Sequence, residues 1–407
     1  MSVYVRDLYG NNFLEQPICP APVQHKLDRR VLICSDVAPY RNGVGAYYAD
    51  LYADLRDDVA ELDLLCPVAE GGRLTGFNVP LPGDTTQHVP LPNLAKLAQR
   101  IEKFQPDVVV VASQGAYGVV GARVGHRIGA RVLAGYHTSF THLVGLYWDK
   151  WRTLGAHMLV GTFNRYVFRH ADEVLANSPD MMKLARSHGA RRVRLIGTPI
   201  TPKYLNTPIR RVPDCVSKVL FVGRLAAEKR LDAVVAAAIA LPNLRFSIVG
   251  DGPERARLEK ATAELSNIEL LGWIDRSRMD QVMDDHDVLV LPSKVEGFGT
   301  VALEAMARQR LVVVSHTCGI STWPCLRKGL TVMGPQENLT QVLTGLCQLS
   351  DIDCFSRGAI ARVAARQHVL WNRQLWLSSL RARSARPARR LGRLGGWKTC
   401  TLLSGLW

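Results

Sequence analysis

Two short stretches bring together residue types suited to gripping a diphosphate and a polyol. In 221–230 (FVGRLAAEKR), Arg224 and Lys229 follow an apolar run and precede a helix-period stretch. Two cations beside the free N–H groups of a helix start neutralise phosphate oxygens by charge and dipole together. In 293–307 (SKVEGFGTVALEAMA), Glu296 precedes Gly297 and Gly299, and Glu304 follows on a helix-like segment. Glycines let a ligand approach the backbone, free amides suit an oxygen-rich anion, and a carboxylate accepts hydrogen bonds from sugar hydroxyls. Glu304 is placed to hold a ribose diol in the same bidentate way. Each sign taken singly has an ordinary alternative: an Arg and a Lys on a surface turn, or an acid on a helix face. An acid, two glycines and a second acid at one strand-to-helix junction resist that reading.

The elements that must position these residues fall into two blocks. Short apolar runs stand at 30–35, 61–66, 108–112, 130–135, 173–176 and 192–196, with helix-period stretches between them at 44–55, 156–170 and 180–188. After a connector at 198–213 with four prolines, a second series follows at 219–223, 246–250, 268–272, 288–292 and 311–315. Helices fit at 231–240 and 253–265. Continuous apolar strands alternating with helices predict parallel sheets covered on both faces. The expected class is therefore α/β, with two Rossmann-like domains facing across a cleft. The expected boundaries are an extension at 1–28, a first domain at 29–197, a linker at 198–216, a second domain at 217–360, a helix at 361–380 and a basic tail at 381–407. Ligands of such sheets bind beyond the carboxyl ends of the strands, where both stretches lie.

The second block resembles the nucleotide-binding half of a glycosyltransferase family 4 enzyme with the GT-B fold. The matching pieces are GRLAAEK (223–229), IVGDGPE (248–254), LLGWID (270–275) and PSKVEGFGTVALEAMA (292–307), in which Glu296 and Glu304 fill the family's E-x7-E pattern. The resemblance implies that Arg224 and Lys229 neutralise the donor diphosphate and that Glu304 binds the ribose. It also implies that Glu296 contacts the donor sugar beside the amides of Gly297, Phe298, Gly299 and Thr300. In the first block, DVAPYRNGVGAYYADL (36–51) resembles the family's glycine-bearing loop, with Gly43 and Gly45 near the diphosphate. GYHTSF (135–140) resembles its histidine loop, with His137 facing donor sugar and acceptor. The implied reaction is retaining transfer of a hexose from a UDP- or GDP-sugar to a lipid or glycan hydroxyl, with His137, Arg224, Lys229 and Glu296 as catalytic residues. Two fixed cations stand in for a metal, so no metal ion or further cofactor is expected. The sequence departs from the pattern at Thr141, at RQRLVVV after Ala307, and in SHTCGISTWP (315–324), which keeps Gly319 alone of the paired glycines. These departures motivate the alternative of a noncatalytic subunit that binds nucleotide sugar. Asp284 and Asp285 read as solvated charge on a helix.

Composition narrows the remaining classes. Apolar residues make up 47% and charged residues 21%, the balance of a globular protein. No apolar run is long enough to cross a membrane, and MSVYVRDLYG lacks the order of a signal peptide, so a cytoplasmic protein is expected. The nine cysteines include no CxxC pair and read as buried free thiols. No GxGxxG opens a helix after a strand, which argues against a dinucleotide-dependent dehydrogenase. Net charge is +15, and no acid follows Asp353 while ten arginines and Lys398 do. Such one-sided charge suits an anionic membrane surface, with Trp397, Leu402, Leu403 and Trp407 at hand for interfacial contact. A solvated tail is the plain alternative, and no aromatic interleaving points to nucleic acid.

Overall fold

The computed structural model describes residues 5–6, 12–13, 26–40, 43–67, 75–81, 84–137 and 150–384. Most of the 1–28 extension, Thr138 to Thr141 of the histidine loop, and the basic tail beyond Ser384 lie outside the described residues.

Strands β1 (Val5–Arg6) and β2 (Asn12–Phe13) form a short antiparallel pair. Strands β3 (Leu27–Cys34) and β4 (Val59–Leu65) are followed by an antiparallel hairpin, β5 (Thr75–Leu81) and β6 (Asp84–Pro92). Then come β7 (Val108–Val111), β8 (Arg131–Tyr136), β9 (Glu173–Ala176) and β10 (Val193–Leu195). They build a parallel six-stranded sheet in the order β10-β9-β8-β7-β3-β4. A second parallel sheet has the order β13-β12-β11-β14-β15-β16. Its strands are β11 (Lys218–Val222), β12 (Arg245–Val249), β13 (Ile268–Gly272), β14 (Val288–Leu291), β15 (Leu311–Ser315) and β16 (Thr331–Met333). VVVV in β7 and VLVL in β14 are buried throughout, as strands with helices on both faces require. The expected pair of Rossmann-like sheets is present. The β5/β6 hairpin is an addition that the sequence reading did not contain.

The final helix, Asp351–Arg381, is longer than the 361–380 expected. It begins among core residues of the second half (Cys354, Ala361, Ala365) and ends in the core of the first (Leu375, Trp376, Leu380). Arg373 adds ion pairs to Asp54 on helix Gly43–Leu55 and to Asp58 in the turn that follows it. One element thus fastens the two halves.

The departure after Ala307 has a structural cause. Arg308 and Asp284 are paired with side chains only 1% exposed each. The Arg308 guanidinium also donates to the carbonyls of Thr207 (2.7 Å) and Pro208 (2.9 Å), while Arg310 reaches those of His286 and Arg211. Asp284 in turn accepts from the Arg210 amide at 2.9 Å. Arg308 and Arg310 are therefore the staples that hold the proline-rich connector against the second sheet. Asp284 is a correction to the sequence reading: it is a buried ion-pair partner, and only its neighbour Asp285 is solvated. The thiols are corrected in part, since Cys34, Cys318 and Cys354 are buried but Cys215, Cys325 and Cys347 are exposed.

Removing one partner of a buried pair strands the other's charge, at about 3–5 kcal/mol, whereas an exposed acid contributes within about 0.5 kcal/mol. Asp284→Asn should therefore lower the urea-unfolding free energy by several-fold more than Asp285→Asn. Equal unfolding curves for the two variants would contradict the assignment of Arg308 and Asp284.

Candidate functional site

In the second sheet, β11 and β14 are adjacent although β12 and β13 intervene in the chain. Their following loops must diverge, which opens a crevice at their carboxyl ends. Both candidate stretches line it. The loop after β11 carries Arg224 and ends in a short turn, Ala227–Lys229. Its shape is held from beneath by the turn after β12: the Leu225 amide donates to the Asp251 carbonyl at 3.0 Å. Gly250 is required there, because a Cβ would lie 1.9 Å from the Gly223 carbonyl oxygen and the backbone φ is +137°. The IVGDGPE motif is thus the bed on which Arg224 lies.

The loop after β14 is laced to the first. The Lys294 amide donates to the Glu228 carbonyl at 2.7 Å, and Lys229 Nζ lies 2.5 Å from Glu296 Oε2. Both side chains are mostly buried, at 16% and 18% exposed. Burial, the largest single influence, pulls the Lys229 ammonium down, but the charge and hydrogen bond of Glu296 together with nearby Glu228 and Cys318 outweigh it and the pKa is raised overall. Gly319, the retained glycine, donates its amide to the Glu296 carbonyl at 3.2 Å, and Ile320 donates to the Phe298 carbonyl at 2.8 Å. The Phe298 side chain is buried beside Trp323 and His368, so only its backbone is placed for a ligand. Gly297 is half-buried, and Gly299 caps helix Thr300–Ala307, putting the amides of its first turn at the crevice.

Glu304 lies on that helix and is buried. Its Oε1 accepts from Arg276 Nη2 at 2.8 Å, and the same nitrogen pairs with Asp50 on helix Gly43–Leu55 of the other half. Burial raises the Glu304 carboxyl to about 7 and that of Asp50 to about 6, against the opposing pull of Arg276. Arg276 and Asp50 were not singled out in the sequence. Their signal is slight: a cation directly after LLGWID, and a buried acid within a helix-period stretch.

The first half contributes more sparsely. Gly43 opens helix Gly43–Leu55, and Gly45 is buried against the Ala38 carbonyl of the preceding loop. Asp36 ties that loop to the next one, accepting from Ser113 Oγ (2.6 Å) and the amides of Gly115 (3.0 Å) and Tyr117 (2.8 Å). His137 is buried, 7% exposed, with Nε2 at 2.8 Å from the Tyr48 hydroxyl and no partner on Nδ1. Its carbonyl accepts from Asn177, whose own carbonyl accepts from Trp323 Nε1 of the second half at 3.0 Å. The structure thus brings Lys229, Glu296 and the Gly297 to Thr300 backbone together, joins Glu304 to the first half through Arg276, and sets His137 in the seam between halves. Among the described residues, no group of three or more His, Cys, Asp or Glu side chains is arranged to hold a metal ion.

Burial pushes the imidazoles of His137 and His368 down to about 3. The folded chain therefore leaves them neutral where the unfolded chain takes up protons, below about pH 6.5. Their contribution is complete above that pH and is lost on acidification at about 1.4 kcal/mol per pH unit each. Glu304 and Asp50, raised by burial, act in the opposite direction between the ordinary carboxylate range and about 7. Comparing wild type with His368→Gln isolates one imidazole: the variant should lose about 2 kcal/mol less stability between pH 6.5 and 5 in urea titrations. Parallel losses would contradict it.

Residues 41–204 match the profile of Glycosyltransferase Family 4, and residues 216–350 match that of Glycosyl transferases group 1. The chain is similar to sulfoquinovosyl transferase SQD2 of Arabidopsis thaliana, 26% identical over 58% of this chain and 48% of that protein. It is also similar to a GDP-mannose-dependent alpha-mannosyltransferase of Mycobacterium tuberculosis, 29% identical over 62% of each. The matched region spans less than two thirds of either relative. Sucrose-phosphate synthase from Thermosynechococcus elongatus superposes with a TM-score of 0.67 at 20% identity, over 86% of this chain and 97% of that one. Anabaena HepE in complex with UDP and glucose superposes with a TM-score of 0.64 at 19% identity, over 86% and 99%. With two profiles matched in order on two parallel sheets that share this architecture, the chain belongs to the glycosyltransferase family 4 and group 1 proteins of the GT-B fold.

Proposed function

We propose that this protein is a retaining, metal-independent glycosyltransferase that moves a hexose from a UDP- or GDP-sugar to a hydroxyl of a lipid or glycan acceptor. The observation that carries the reading is the contact of Lys229 with Glu296 at the mouth of the β11/β14 crevice. In this reading Arg224 and Lys229 hold the donor diphosphate and stabilise the charge that develops on the leaving phosphate oxygen. Glu296 and the Gly297 to Thr300 amides hold the sugar, Glu304 the ribose, and the Gly43 and Gly45 loop approaches the phosphates from the other half. His137, neutral at the seam, faces sugar and acceptor. The departing phosphate oxygen takes the acceptor proton on the same face, so no separate carboxylate base is required. Exclusion of water between the halves directs transfer to the acceptor and away from hydrolysis. The names of the relatives support the transferase reading, one being GDP-mannose-dependent. Against the noncatalytic alternative, the guanidinium groups of Arg308 and Arg310 are spent on the connector and leave the crevice residues untouched.

Lys229→Ala and Glu296→Gln should each reduce transfer by about 100-fold or more, the scale for one preorganised electrostatic contact, while the circular dichroism spectrum is unchanged. Turnover at the wild-type rate by either purified variant would overturn the assignment.

We also propose that the protein works in the cytoplasm, on the inner face of a membrane, attached by the arginine-rich tail at 381–407. Among the described residues no helix is long and apolar enough to cross a bilayer. Helix Asp351–Arg381, which leads into the tail, exposes Ile352 (77%), Val363 (56%) and Leu370 (54%) along one face, with Arg357 and Arg366 exposed as well. Cations near an anionic surface contribute about 1 kcal/mol each, lost with added salt. Co-sedimentation with phosphatidylserine vesicles should therefore be strong at low salt and fall on deletion of 381–407. Equal, salt-insensitive partitioning of both forms would rule the attachment out.

A further inference from the structure

Arg276 holds two carboxylates that belong to opposite sides of the cleft. Its Nη2 bonds Glu304 Oε1 of the second half at 2.8 Å and pairs with Asp50 of the first half. Asp50 is fixed in its own right by Thr201 Oγ1 at 2.9 Å, where the chain passes between the halves. The Tyr40 ring, from the loop after β3, lies 5.3 Å from the guanidinium carbon and is half exposed. Arg276 itself sits on a rigid turn, Arg276–Arg278, capped by Asp275 through the Ser277 amide and held by Lys203, which bonds the Ser277 carbonyl and Asp280. Its Nε is buried with no acceptor, and both carboxylates are held by the single nitrogen Nη2.

The arrangement changes what Glu304 is able to do. Oε1 already accepts from Arg276, which fixes how the carboxylate meets a ribose diol; each carboxylate oxygen has two lone pairs, so this bond and a two-oxygen grip are compatible. A carboxylate this buried is a good acceptor only if a cation compensates its lost hydration. We propose that Arg276 is a positioning residue of the donor site: it orients Glu304 toward the ribose and, by holding Asp50 as well, ties occupancy of that acid to closure of the two halves. This rests on the donor-site reading of Glu304 given above. Donor binding and domain closure then share one cation, and each strengthens the other by linkage.

The test uses the full chain, titrated calorimetrically with UDP and with GDP, and small-angle X-ray scattering of the nucleotide-free protein. Arg276→Gln should weaken the nucleotide that wild type binds by about ten- to a hundredfold, the range for one charge-assisted hydrogen bond. In a Glu304→Gln background the same change should add less than about threefold, because coupled residues are not additive. Asp50→Asn should enlarge the radius of gyration and weaken the nucleotide less than Arg276→Gln does. Arg276→Lys keeps the charge without the planar fork, guards against a folding failure, and should restore part of the affinity. If Arg276→Gln lowers the melting temperature while affinity and radius stay at wild-type values, Arg276 is merely structural and the inference falls. If it tightens binding, Arg276 is a plug and the inference also falls. If Glu304→Gln binds as wild type does, the donor-site reading itself has failed.

Discussion

Strands β11 and β14 lie side by side although about 65 residues of chain, with two intervening strands, separate them, and the register pairs Val219 with Val288 and Leu220 with Leu289. A parallel sheet wound outward from that pair in both directions has no chain to cover the gap above it. The loops after the two strands are left facing each other, and they are the loops that carry Arg224, Lys229 and Glu296. Every other feature of the site serves this juxtaposition. The turn after β12 supports the first loop from below, and the stretch after β15 bonds the second from the side. Lys229 and Glu296 then meet with most of their surface removed from water.

Cations shape this protein more than its surface charge suggests. Arg308, Arg310 and Arg276 are all at least largely buried, and each satisfies several acceptors from segments remote in sequence. Arg308 and Arg310 match their planar donors with carbonyls and the Asp284 carboxylate, and Arg276 binds two carboxylates through one nitrogen, so each of these arginines fixes the position of the segments it touches. Arg308 and Arg310 fasten the connector to the second sheet, leaving the stretch near Thr198 to Thr201 and the helix Asp351–Arg381 as the routes between halves. Arg276 bridges the gap itself. The region after Ala307, where the chain departs from its family's pattern, is thereby explained as a fastening of the backbone rather than a rebuilding of the crevice.

What the sequence made legible follows from locality. Arg224, Lys229 and Glu296 stand soon after strand ends, and Glu304 follows on the helix after β14, so the apolar runs, glycines and charges, read with the family resemblance, pointed to them. The two-sheet architecture was legible for the same reason, since VVVV and VLVL admit few positions other than buried parallel strands. Arg276 and Asp50 carried no such mark, because their partnership joins residues 226 positions apart and exists only once the halves meet. Asp284 was misread because two adjacent acids on one helix look alike locally; a turn of 100° per residue buries one against Arg308 and leaves the other in water. The β5/β6 hairpin was hidden by its prolines, which break the two-residue alternation by which strands are found.

The central claim is that Lys229, paired with Glu296, and Arg224 on the same loop recognise a diphosphate. Its most direct test compares the affinity of a nucleoside diphosphate with that of its monophosphate, UDP against UMP and GDP against GMP, in wild type and in Lys229→Ala. The account predicts that wild type prefers the diphosphate by tenfold or more, about 1.4 kcal/mol, and that Lys229→Ala erases most of the preference while monophosphate binding changes little. Equal affinity of wild type for diphosphate and monophosphate would contradict it.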